Sequence, residues 1–184
     1  FSSALKQKFI QLEFRSLSKR EDLFSSQEEG DTLQNSQTQI QQPTVIKVEN
    51  LQDFKLQDNI TRLAFNVGKD SVNLSDGQNE YIFKIRLSLL DDGFILSDVL
   101  KHLEYIFTDK YSLILYNKKN LRHFLLDNVG IDLVAPADDV AIIKYLADFS
   151  GRDQWLEEVL EEYNLPLATP AHSLFYLYTA LNQK

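Results

Sequence analysis

Apolar and polar positions alternate through RLAFNVGKDSV, Arg62 to Val72, where Leu63, Phe65 and Val67 fall on one side of an extended chain before Gly68 breaks the run. A period of two over that length predicts a strand with one face in a core. TVIKV, from Thr44, is strand-like too. A turn at Gly68-Lys69 leads into DSVNLS, and SDGQN supplies turn chemistry ahead of the strand EYIFKIRL. These runs predict a small meander of antiparallel strands.

The period lengthens at Ser97. Val99, Leu100, Leu103, Ile106 and Phe107 form an apolar face at helical spacing, with Ser97 as the expected N-cap and Asp98 in the first turn of a first long helix. YSLILY reads as a short buried strand. Lys118 to Val129 reads as a helix with Leu121, Phe124, Leu125 and Asn128 on one side, closed by Gly130 in a left-handed conformation. Asp138 or Asp139 is placed to cap VAIIKYLADF, whose near-continuous apolar character predicts burial. Trp155, Val159 and Tyr163 then recur every four residues, with Leu156 and Leu160 beside them. The last helix opens with Thr169 as N-cap and Pro170 at its first position, and Leu174, Phe175, Tyr178 and Leu181 form its stripe. Strands first, then strands alternating with helices, predict a layered α/β domain.

The chain before Thr44 is different in kind. Leu5, Phe9, Leu12, Phe14 and Leu17 sit at near-helical spacing ahead of Lys19 and Arg20, which predicts a short amphipathic helix within residues 1–24. Residues 25–43 are rich in Ser, Gln and Glu and poor in apolar side chains, so they cannot offset the entropy of ordering and read as a flexible linker. Residues 44–184 are the globular part.

Composition narrows the chemistry. With 184 residues and 43% hydrophobic content, the chain can bury one ordinary core plus an appendage. It has no cysteine, which excludes disulfides, thiolate nucleophiles and zinc-cysteine sites. No window reaches the roughly 18 consecutive apolar residues of a membrane span, and FSSALKQKF lacks a signal-peptide core, so a soluble protein of the cytoplasm is expected, with no membrane partner. A net charge of −8 predicts weak or no binding of DNA by this segment, because nucleic-acid-binding domains carry cations that replace phosphate counterions.

Three stretches carry a resemblance. LEFRSLSKR, Leu12 to Arg20, resembles the segment that closes the 5′ nuclease region of bacterial family A DNA polymerases, the DNA polymerase I family. NVGIDLVAPADDVAIIKYLADFSGR, Asn128 to Arg152, resembles the stretch of the 3′–5′ exonuclease-like domain in which a Gly-Ile-acid-Leu turn precedes an Asp-capped helix. DQWLEEVLEEYNL, Asp153 to Leu165, resembles the amphipathic helix that follows. The resemblance implies a ribonuclease H-like three-layer fold with a central mixed sheet for residues 44–184. It assigns residues 1–24 to the preceding 5′ nuclease region. It also implies that the polymerase and 5′ nuclease domains of the same chain are the partners, with DNA met through the full-length enzyme, and that the protein is a monomer.

Exonuclease activity in that family rests on two metal ions held by convergent carboxylates, and here its motifs are degenerate. The first-strand Asp-x-Glu is matched by Asn66-Val67-Gly68. In the second motif Asn117 stands for the turn Asn, and the acid position falls on Asn120, Leu121 or Arg122. The third, Tyr-x-x-x-Asp, falls at about Pro166 to Pro170 and lacks both residues. The resemblance with these departures implies a vestigial, non-catalytic domain with no catalytic, metal or cofactor site. It would serve as a structural spacer for a polymerase domain in replication and repair.

Two other readings stay open: a nuclease using displaced acids such as Asp70, Asp76 and Asp139, and a free-standing interaction module. The plainer roles of those acids are turns for Asp70 and Asp76 and a helix cap for Asp139. Glu157, Glu158, Glu161 and Glu162 read as a solvated helix face. His102, His123 and His172 lack metal-ligand spacing and are expected at surface or boundary positions. Lys118, Lys119 and Arg122, like Lys19 and Arg20, read as solvated charge without the interleaved aromatics of a single-strand stacking surface.

Overall fold

A computed structural model describes residues 42–148 and 154–182. The strands are β1 (Thr44–Lys47), β2 (Arg62–Val67), β3 (Ser71–Ser75), β4 (Asn79–Lys84), β5 (Ser112–Leu115) and β6 (Ala137–Asp139). The helices are α1 (Leu96–His102), α2 (Lys118–Val129), α3 (Val140–Asp148), α4 (Leu156–Glu162) and α5 (Pro170–Asn182), with a 3-10 turn at Glu104–Phe107 after α1. The expected N-terminal helix at 1–24 and nearly all of the expected linker at 25–43 lie outside the described residues.

The strands form one six-stranded sheet in the order β1-β4-β3-β2-β5-β6. β2, β3 and β4 are an antiparallel meander, with Phe65 opposite Leu74 and Leu74 opposite Tyr81. β5 and β6 add in parallel beside β2. A meander whose first strand is joined by parallel crossover strands is the ribonuclease H-like arrangement, as the resemblance implies. β1 departs from the expected meander: it pairs with β4 in parallel, Thr44 opposite Asn79. Parallel neighbours need a long connection, and residues 48 to 61 begin one that carries the chain from β1 at one edge to β2.

Alternation along each strand sorts side chains to two faces. Leu63, Phe65, Val72, Leu74, Phe83, Leu113 and Leu115 pack under α1, the 3-10 turn and α2, in a core that includes Val99, Leu100, Leu103, Ile106, Phe107 and Leu125. Phe65 meets Phe107 edge to face at 5.2 Å. Ala64 and Ile114 point the other way, into a second core with Leu156, Val159, Leu160, Leu174, Leu177 and Leu181. The result is three layers. Each fully buried Leu, Ile or Phe contributes about 1.5–3 kcal/mol relative to exposure, so the two cores together outweigh any polar contact described below.

Several local expectations are corrected. Ser97 is not the N-cap of α1; Ile95 is, without a side-chain hydrogen bond, and Ser97 lies inside the first turn. The expected long helix is a short α1 that gives way to the 3-10 turn, although every apolar position of its face is buried. Helix α2 starts and stops as expected: the Asn117 side chain accepts the N–H of Asn120, and Gly130 takes φ 73°. Helix α3 is not buried all round, since Ile142, Tyr145 and Leu146 are exposed at 58%, 53% and 59%. Trp155 is not a core residue of the next helix but its N-cap, 76% exposed. His172, expected near the surface, is buried.

Candidate functional site

The parallel strands β2, β5 and β6 end on the same side of the sheet, and in open α/β sheets ligands gather outside such carboxyl ends. A cleft of about 1030 Å³ opens there. Its floor is the run Phe65 to Lys69, its near wall is Tyr116, Asn117 and the first turns of α2, and its far wall is α3 with the start of α4. β2 stops at this point because Gly68 turns the chain, its N–H donating to the Ser71 carbonyl at 2.8 Å.

Asp139 anchors the two walls to each other. Its Oδ1 accepts the N–H of Asn117 at 2.9 Å and of Ala141 at 3.1 Å, and its Oδ2 accepts the N–H of Lys118 at 2.8 Å. One carboxylate thus satisfies orphan donors at the starts of both α2 and α3, where the helix dipoles also favour negative charge. The expected helix cap is present, and it serves a second helix that the sequence did not suggest.

On the far wall, Lys144 is buried, and its Nζ donates to Gln154 Oε1 at 2.7 Å and lies 3.2 Å from Glu162 Oε2. The Gln154 carbonyl accepts the Tyr116 hydroxyl at 2.8 Å. Proximity to Lys144 and the Gln154 amide holds the Glu162 carboxyl below the usual range despite partial desolvation, which acts in the opposite direction. This polar knot fixes Gln154 and sets Trp155 at the rim. Sequence reading missed Lys144, Gln154 and Trp155. The available signal was Glu158, whose side chain accepts the Trp155 N–H at 3.3 Å as the third residue of a capping box does, marking Trp155 as the residue before the helix.

Of the degenerate motif positions, Asn66, Gly68 and Asn120 all line this cleft, as does Asn117, between β5 and α2. Pro170 does not line it; it starts α5. Asp70 is exposed in the β2–β3 turn, and Asp76 lies in the β3–β4 turn at the other end of the meander. Asp76 accepts the N–H groups of Gln78 and Asn79 and the Tyr81 hydroxyl, bonds that lower its pKa even though burial opposes them. These displaced acids do not converge with Asp139.

Two catalytic metal ions need several carboxylates aimed at one point. The acids on the cleft wall are Asp139, whose oxygens already accept three backbone N–H groups, and Glu157 in the first turn of α4. The rest of the polar lining is amide, lysine or aromatic, among it Asn66, Asn117, Asn120, Lys119, Tyr116 and Tyr145. Among the described residues, no group of three or more His, Asp or Glu could hold a metal ion. The residues present do not fit a two-metal centre.

A buried polar chain lies on the opposite face of the meander, under α5. Ser71 Oγ donates to Asn73 Oδ1 at 2.9 Å, and Asn73 Nδ2 donates to Glu80 Oε1 at 3.2 Å. Glu80, fully buried, accepts the N–H groups of Ala171 and His172 at 3.2 and 2.7 Å. It is therefore Glu80, not the expected Thr169 side chain, that caps α5. The Thr169 hydroxyl is buried without a partner among the described residues.

No protein-family model and no curated protein matches the chain. Among solved structures it is similar to Brucella melitensis NrnC bound to pGG, at 14% identity and a TM-score of 0.48, covering 77% of this chain and 81% of that one. It is also similar to a second structure of Brucella melitensis NrnC (15% identity, TM-score 0.46, 76% and 81% covered) and to Brucella melitensis NrnC with bound Mg2+ (15%, 0.43, 76% and 79%). None of these points to DNA polymerase I.

Proposed function

We propose that this chain is a non-catalytic, vestigial 3′–5′ exonuclease-like domain that acts as a structural support for the polymerase domain of a DNA polymerase I chain in DNA replication and repair. The observation that supports this reading is the composition of the cleft at the ends of β2 and β5: Asn66, Gly68 and Asn120, which the resemblance matches to carboxylate positions of the exonuclease motifs, line it. Amides and a glycine supply neither the charge nor the ligand set for two cations. In this reading the partners are the polymerase and 5′ nuclease domains of the same chain, no cofactor is needed, and DNA is met through the whole enzyme.

The test is an assay of purified protein with 3′-labelled single-stranded DNA and Mg2+ or Mn2+. No release of mononucleotides above background is expected. Release that persists through purification and disappears with EDTA would overturn the reading and make Asp70, Asp76 and Asp139 the first residues to mutate. The assignment to a polymerase chain is tested separately by the natural open reading frame, which should encode a polymerase domain downstream. A frame ending near Lys184 would favour a free-standing interaction module instead.

A further inference from the structure

Helix α3 sets Val140 and Ile143 against the second core and buries its lysine, Lys144, yet Ile142, Tyr145 and Leu146, at i, i+3 and i+4, form a further apolar stripe that faces solvent. An amphipathic surface helix carries polar residues on that side, and a contiguous exposed apolar patch marks an interaction site. Trp155 and Leu126, also exposed, extend the stripe at either side, along the cleft on one side and along a groove between α2 and α3 on the other.

The groove has a volume of about 610 Å³ and adjoins the cleft at Lys119, Asp139 and Ile142, which line both. Its charge is not that of the chain. The protein carries −8 overall, yet both acids in the groove are already engaged, Asp138 with Arg62 and Asp139 with backbone N–H groups. Arg122 is neutralised by Asp132 at 2.7 Å. Lys118 and Lys119 have no ion pair among the described residues, and both lie along the groove. An apolar stripe edged by two lysines without ion pairs among the described residues, on an otherwise acidic protein, is complementary to a segment with an apolar face and acidic flanks.

We infer that the α2–α3 face is a docking site for an acidic amphipathic segment of a partner protein. The apolar side chains of that segment cover Ile142, Leu146 and Leu126, and its carboxylates meet Lys118 and Lys119. Nucleic acid fits less well: two unpaired lysines replace few phosphate counterions, and the chain carries −8 overall. The inference goes beyond the function proposed above, because it concerns the outer face of α3 and not the lost metal ligands, and it stands whichever way the nuclease assay falls.

Trp155 is the single tryptophan of the chain and sits beside the stripe, so its emission reports occupancy. The probes are two synthetic helical peptides without tryptophan that share one Leu/Ile face, one flanked by Glu and the other by Lys, together with an oligothymidine. The Glu-flanked peptide should shift Trp155 emission to the blue saturably, and the Lys-flanked peptide should bind at least about tenfold more weakly. Lys118→Glu with Lys119→Glu should reverse that preference, and Ile142→Ser with Leu146→Ser should abolish both shifts while leaving the melting curve in place. No shift with either peptide, or equal affinity for both, would overturn the inference. So would a shift caused by oligothymidine alone, which would mark a nucleic-acid surface. Self-association in sedimentation that vanishes in the Ile142/Leu146 variant would overturn it too, by showing that a second copy covers the stripe.

Discussion

Glu80 on β4 accepts the backbone N–H of His172 at 2.7 Å, 92 positions later in the chain, and so holds the start of α5 against the sheet. Burial pushes the Glu80 carboxyl up to about 7 from 4.5, against the His172, Ala171 and Asn73 hydrogen bonds that favour its charged form. A carboxyl whose pKa is higher folded than unfolded binds a proton on folding, so its stabilisation is complete below pH 4.5 and is lost as pH rises through about 7. Melting should therefore be higher at pH 5 than at pH 8, by up to about 3 kcal/mol from this group. Glu80→Gln should flatten that slope; an unchanged slope in the variant would show that another group sets it.

Truncation at the same position has a different signature. Glu80→Ala leaves the N–H groups of Ala171 and His172 and the Asn73 amide buried without their acceptor. Each such loss costs about 1–3 kcal/mol, so the denaturation midpoint should fall well below that of Glu80→Gln. Equal midpoints for the two variants would mean that the cap contributes nothing.

Asp139→Ala should lower stability by about 2 kcal/mol, more than the loss of an ordinary cap, because it frees donors at two helix starts. Hydrogen exchange should speed at Asn117, Lys118 and Ala141 and stay unchanged at Ala171. Uniform acceleration would instead indicate global unfolding.

Two glycines should respond differently to alanine. At Gly93 φ is 144°, and a Cβ would meet the Lys84 carbonyl oxygen at 2.8 Å, where the loop after β4 folds back on its end. Gly93→Ala should cost about 1–3 kcal/mol. At Gly68 a Cβ would lie 3.3 Å from the Ser71 carbonyl oxygen, with φ outside the left-handed region. The Ser71 carbonyl, which also accepts the Gly68 N–H, must give by a few tenths of an ångström to admit that Cβ, so Gly68→Ala should cost less than Gly93→Ala. Equal losses in the two variants would show that the turn after β2 cannot yield.

The double variant Asn66→Asp with Gly68→Glu, once a cooperative melting curve shows that it is folded, should release no mononucleotides from single-stranded DNA, because metal ligands act as a unit and Asn120 still offers an amide. Nuclease activity gained from these two changes alone would show that the remaining ligands are already in place.

Sequence alone made most of the elements and their order legible, though not the short strand β6 or the 3-10 turn. Periods of two and of about 3.6 are local properties of the chain, so Arg62–Val67, Ser112–Leu115 and Lys118–Val129 could be read, down to Gly130 as the stop. Of the degenerate motif positions, Asn66, Gly68 and Asn120 line one cleft and Pro170 does not. Tertiary structure decided what no local period encodes. The apolar run of α3 reads as buried because periodicity measures how apolar a segment is and not what covers it; Val140, Ile143 and Lys144 take the packed side, which leaves Ile142, Tyr145 and Leu146 facing outward. Thr169 has cap chemistry at the right place, yet Glu80 from a distant strand takes the donors. A carboxylate binds two N–H groups more strongly than a hydroxyl binds one, and only the paired sheet brings it there.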